Sequence, residues 1–172
     1  MSLISTFWTL HKSKLDQLLS ESRPIEKKVG NKPLLPFLKQ KTEMIYPWLD
    51  YLNENAHEEK NYELSGMIMT GFDLMLMESS SSIFESALEQ SSRLSEYCGG
   101  SAAIIDYEGA KKIIKNITTS NFTESDVAKF YDEDEKPDDW RFDPKDILFT
   151  SEHIKQWCSK VTPDNLGILI IG

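Results

Sequence analysis

The densest set of potentially reactive side chains in this sequence is YDEDEKPDDWRFD, Tyr131 to Asp143. It holds seven carboxylates, and carboxylates one residue apart can chelate calcium. Asp132 and Asp134 begin such an alternation. Lys136 then takes the next ligand position, Pro137 stands where the loop needs glycine, and position twelve is Asp143 rather than glutamate. A calcium loop is disfavoured. A second use is recognition: closely spaced carboxylates beside an aromatic ring imitate phosphates beside bases, and an exposed tryptophan anchors interfaces. On this reading Asp132, Glu133, Asp134, Glu135, Asp138, Asp139 and Trp140 bind a partner. The competing reading is a solvated connection, tethered where Trp140 and Phe142 fold back into the core.

No other group of residues assembles a catalytic or metal signature. His11, His57 and His153 fall in separate predicted elements, with no HExxH and no Cys/His spacing of a zinc site. Each reads as a surface or capping residue. His153 and Cys158 lie five apart on one predicted helix, so they point to different faces and form no Cys–His nucleophile. Gly99-Gly100-Ser101 lacks the following lysine of a phosphate loop. The expectation is a protein without catalytic residues, metal or cofactor.

Charge points towards partners and away from others. The net charge is −9. Residues 1–60 carry nine Lys/Arg against eight Asp/Glu, whereas residues 61–172 carry ten against twenty. A field of that sign repels nucleic acid and anionic lipid, and it speeds encounter with cationic partners. The start, MSLISTFWTLHK, has no basic lead or cleavage site of a signal peptide, and the apolar run around Asp73 is too short to span a bilayer. A reducing cytoplasm is expected, with Cys98 and Cys158 as free thiols.

The elements that position these residues follow from periodicity. Residues 2–10 favour a strand, and Leu15, Leu18 and Leu19 mark a helix directly after it. Residues 21–33 read as an exposed basic loop. Pro36 and Pro47 divide 34–55 into short helices with Trp48, Leu49 and Leu52 inward. From Leu64 to Met77 the apolar positions predict a helix buried around most of its circumference, and its methionines suit core packing better than a binding groove. Ser82 and Glu85 have capping-box spacing for a helix burying Ile83, Phe84, Ala87, Leu88 and Leu94, stopped at Gly99-Gly100. A short strand at 101–105 precedes a helix using Ala110, Ile113, Ile114 and Ile117. Thr123 and Asp126 cap another that uses Val127, Phe130 and Tyr131. A last helix spans roughly 151–161, and a TPDN turn delivers the terminal strand LGILIIG. The whole reads as one α+β domain over 1–172, mostly helical, its small sheet made by strands near both termini and near residue 103.

Parts of the chain resemble a known family. FWTLHKSKLDQLL, IIDYEGAKKIIKNITTSNFTESDVAKFYD and the closing LGILIIG are similar, in that order, to segments of the bacterial YfbM-like family of small uncharacterised domains. The family's Trp/His segment ending in Leu-Thr-Gly is approached here only by MIMTG, Met67 to Gly71, which has no histidine. The resemblance implies an α+β fold and a bacterial, cytoplasmic protein, and it carries over no activity and no catalytic residue. Size, acidity and the lack of catalytic motifs also give the chain the general character of toxin immunity proteins. Three readings remain open, one of them a housekeeping domain whose acidity serves solubility and has no partner; the other two are functional. One is a non-enzymatic inhibitor occluding a basic, toxin-like protein. The other is a YfbM-like domain whose small-molecule or enzymatic site is assembled from dispersed residues.

Overall fold

The computed structural model describes residues 3–28, 42–60, 62–133 and 141–172. In chain order its first half contains β1 (Ser5–His11), α1 (Leu15–Glu21), β2 (Ile25–Lys28), β3 (Thr42–Ile45), α2 (Trp48–Asn55), β4 (Ala56–Glu58) and α3 (Gly66–Glu78). The second half contains α4 (Ser91–Cys98), β5 (Ser101–Ile105), α5 (Tyr107–Ser120), α6 (Glu124–Glu133), α7 (Pro144–Ser159) and β6 (Asn165–Ile171).

Both terminal strands meet in the sheet, as the apolar runs require. β6 lies centrally, antiparallel to β1 from Ser5↔Ile171 to His11↔Asn165 and to β5 from Ser101↔Ile171 to Ile105↔Gly167. The order is β4-β1-β6-β5. Successive residues of a strand point to opposite faces, so each strand feeds two cores. Phe7, Ala103, Ile105, Leu169 and Ile171 pack with α3, α5, α6 and α7. Trp8, Leu10, Ala102, Ile104, Ile168 and Ile170 pack with α1, α2 and α4. Helices therefore cover both faces of an α+β sheet. A strand covered on both faces has no polar side, which explains the unbroken LGILII of β6. Its one gap, Gly167, is forced by packing: a Cβ there would stand 2.5 Å from the Phe7 ring.

The buried helix is α3. Ser65 caps it by accepting the Met67 N–H at 3.3 Å, and Ile68, Met69, Phe72, Met75 and Leu76 are all buried. Its thioethers fill core space, although Met77 faces out. Asp73 is buried within this apolar set, at 6% exposure. Its carboxylate accepts the Ile83 N–H at 2.6 Å and the Ser82 hydroxyl at 2.9 Å. Ser82 in turn accepts the N–H groups of Phe84 and Glu85 at 3.1 and 3.4 Å. Of the box expected at Ser82 the hydroxyl half is present, with Asp73 behind it, and it opens a 3-10 turn.

Five expectations need correction. The segment before Pro47, expected as a short helix, is the strand β3 over Thr42–Ile45. The loop at 21–33 contains β2, which pairs with β3 in a separate antiparallel ribbon, Ile25 opposite Ile45 and Lys28 opposite Thr42. All eight residues of this ribbon are exposed, so no apolar alternation marks it in the sequence. Leu49, assigned inward, is 42% exposed, and Tyr51 takes the buried position beside Leu52. The helix expected through Ile83 to Leu94 is a single 3-10 turn, Phe84–Ser86, followed after a break by α4. At Ala87 the backbone becomes extended, and the Leu88 N–H donates to the Ile104 carbonyl at 2.7 Å, drawing this stretch along β5. Finally, α7 begins at Pro144, seven residues before the expected start. Asp143 is its N-cap, taking the Lys145 N–H at 2.9 Å, and proline suits the first helical position. β4 was not expected; three residues are too short to show a period.

The sheet's two edges are closed differently. β4, on one side, is very short. Along β5, Ser95 and Ser91 of α4 accept the outward N–H groups of Ala102 and Ile104 at 2.9 and 2.8 Å. Helix hydroxyls thus occupy positions a further strand would take.

Candidate interaction surface

The acidic stretch is held at both ends. On its N-terminal side α6 opens with the foreseen capping box: Asp126 accepts the Thr123 N–H at 2.8 Å, and Thr123 Oγ1 accepts the Asp126 N–H at 3.3 Å. Those hydrogen bonds from Thr123 hold the Asp126 carboxyl below the usual carboxylate range. Val127, Phe130 and Tyr131 then fasten the helix to the core. Asp132 follows with its side chain outward, 3.7 Å from Arg141 across the stretch. On the C-terminal side Phe142 packs edge-on against Tyr131, with ring centroids 5.9 Å apart, and lies over Gly71 of α3, where a Cβ would be 2.7 Å from the ring. The expected tether is therefore present at Phe142. Of the candidate partner-binding residues, Asp132 is placed on the surface and Glu133 closes α6. Asp134, Glu135, Asp138, Asp139 and Trp140 lie outside the described residues. Asp143, the would-be twelfth calcium ligand, is used as a helix cap.

The other residues weighed for chemistry are dispersed. His11 caps the short 3-10 turn after β1, accepting the Ser13 N–H at 3.3 Å. His57 lies 3.9 Å from Glu59, whose other oxygen takes Lys160 at 2.5 Å. Both cysteines are free, and burial pushes the Cys158 thiol up to about 12, leaving it without a reactive thiolate. Among the described residues no three His, Cys, Asp or Glu side chains gather as a metal site. An open cleft of about 380 Å³ between α3, α5 and α6 is edged by Glu78, Asp126 and Lys129, but Asp126 is already committed to its cap.

The lengthened α7 creates a feature that the sequence reading missed. Phe149, His153 and Trp157 recur every four residues and so share one face. Tyr62, from the segment between β4 and α3, lies across them, 6.4 Å from Phe149, 5.7 Å from His153 and 5.4 Å from Trp157 between ring centroids. Phe149 and His153 are 4.1 Å apart. Inside, Trp157 stacks on Phe7 of β1 at 5.1 Å with only 6° between planes. Five rings thus run from the sheet to solvent, where Phe149 remains 45% exposed. Tyr62 is fixed in this row. Thr150 donates its hydroxyl to the Asp146 carbonyl at 2.8 Å, and the Tyr62 hydroxyl lies 2.9 Å from Thr150 Oγ1. Burial, with Asp146 nearby, raises the Tyr62 phenol above its ordinary value, so the ring stays neutral. Asp143-Pro144 was the overlooked signal: taking it as a helix start places Phe149 and His153 on one face with Trp157.

Comparison with known proteins adds no relative. No family model, curated protein or solved structure matches the chain. Among the described residues no helix is long and apolar enough to cross a membrane.

Proposed function

We propose that this is a non-enzymatic acidic binding protein of the immunity type, a bacterial cytoplasmic protein related to the YfbM-like domains, which neutralises a basic protein toxin by covering its active surface. The observation that carries the reading is the charge distribution: residues 61–172 hold twenty acidic against ten basic side chains, and seven of the acids fall between Tyr131 and Asp143. Supporting it, that stretch is anchored at Tyr131 and Phe142, with Asp132 directed outward. Fixed ends lower the ordering cost of presenting a charged segment to a partner. The contact is assigned to Asp132, Glu133, Asp134, Glu135, Asp138, Asp139 and Trp140.

The test is kinetic. A basic protein retained from lysate of the native host, or the product of an adjacent gene, would be mixed with the chain at low and high salt. Replacing Asp132, Glu133, Asp138 and Asp139 by lysine should slow association roughly tenfold at low salt and flatten its salt dependence. An unchanged rate at every salt concentration would remove the electrostatic basis of the proposal.

A further inference from the structure

The exposed end of the aromatic row has the chemistry of a guanidinium receptor. Two other surface rings carry a cation supplied by the chain: the Arg93 guanidinium carbon lies 5.6 Å from the Tyr97 centroid on α4, and Lys111 Nζ lies 5.0 Å from that of Tyr107 on α5. Phe149 has none. Its described ring neighbours are His153 and Tyr62, and its outer side is open. One helical turn before it stands Asp146, at the i, i+3 spacing that brings side chains together. Among the described residues no cation lies within ion-pair distance of the Asp146 carboxylate, whereas the neighbouring Glu152 is occupied by Lys155 at 2.5 Å. Lys145 is the nearest cation along the helix and makes no ion pair with Asp146.

We infer that Phe149 and Asp146, backed by Tyr62 and His153, form a site for an arginine side chain presented by the cationic partner. An arginine suits this pair better than a lysine. Its planar face stacks on the ring while its N–H fork reaches the carboxylate, whereas an ammonium is a compact and strongly hydrated charge. The chain's net charge of −9 favours the same sign of ligand. The rigid backing from Trp157 and Phe7 means that little side-chain freedom is lost on binding. The inference rests on the reading that the partner is cationic, and it assigns that partner a specific anchor on α7.

An arginine-rich octapeptide and its lysine counterpart serve as probes, titrated into the full chain and followed through the aromatic NMR signals of Phe149 and His153. The arginine peptide should shift those signals and bind more tightly than the lysine peptide. Phe149→Leu and Asp146→Asn should each weaken it about three- to tenfold while changing the lysine peptide's affinity far less. Phe149 is exposed enough for leucine to leave the fold intact, which the unchanged signals of buried Trp157 would verify. Equal affinities for both peptides in parent and variants would overturn the site, as would a sedimentation change showing that a second copy of the chain occupies the Phe149 face of α7. If the acid-to-lysine variant loses both peptides while Phe149→Leu loses neither, the Phe149/Asp146 site falls and the cationic-partner reading stands. If no variant alters either peptide, both fall.

Discussion

A carboxylate inside an apolar helix needs donors from elsewhere, and Asp73 finds them in the Ser82–Ile83 turn ten residues on. Burial raises its pKa above the ordinary 3.8, Glu85 adds to the rise, and the bonds from Ile83 and Ser82 offset part of it. A folded state that holds its proton more tightly than the unfolded chain loses stability as pH rises from 3.8 through the folded value. Asparagine mimics the protonated form and cannot titrate. Asp73→Asn should therefore gain stability relative to the parent as pH increases across that window, measured as urea midpoints at stepped pH; parallel curves would sink this account. Asp126 works in the opposite sense. Its carboxyl is held low, so its contribution is complete above 3.8 and disappears as pH falls through the folded value. Asp73→Ala, which strips Ile83 of its acceptor, should cost about 2–3 kcal/mol at neutral pH. In the sequence Asp73 reads only as a polar interruption of an apolar run, because its partner is not its neighbour on the helix.

At the level of elements, legibility tracked burial. β1, β5 and β6 could be placed because they face covered cores, and the box at Thr123 and Asp126 could be read because its spacing is its mechanism. The ribbon of β2 and β3 could not, because all eight of its residues are exposed and carry no period. The α4 region was read as a continuous helix since its apolar spacing suits one. The interruption arises from a tertiary bond, the Leu88 N–H on the Ile104 carbonyl. The serines of α4 likewise have a role visible only in three dimensions. Replacing Ser91 and Ser95 together by alanine would leave the buried Ala102 and Ile104 N–H groups without acceptors, at about 1–3 kcal/mol each. The expected outcome is a lower urea midpoint with faster amide exchange at those two residues; retained protection at both would show that water substitutes for the hydroxyls.

Across the whole molecule, the division of charge was readable by counting, and so was the acidic stretch that dominates the proposed contact. The aromatic row was not, because Tyr62 and Phe7 reach it from distant parts of the chain. The same scale gives meaning to the ribbon. Among the described residues its strands pair only with each other, all their side chains are solvated, and Lys27 and Lys28 lie within it, while α1 and α2 on either side are anchored through Leu18, Leu19, Tyr51 and Leu52. Trypsin at limiting concentration should nick the chain at Lys27 or Lys28 before any lysine of α5 or α7, giving two fragments in mass spectrometry that still elute as one species. Prior cleavage within α5 would contradict this. A protein that keeps its shape when cut there also tolerates additions there: an affinity tag or fluorophore inserted at the ribbon would report on partner capture without disturbing the sheet or the α7 surface.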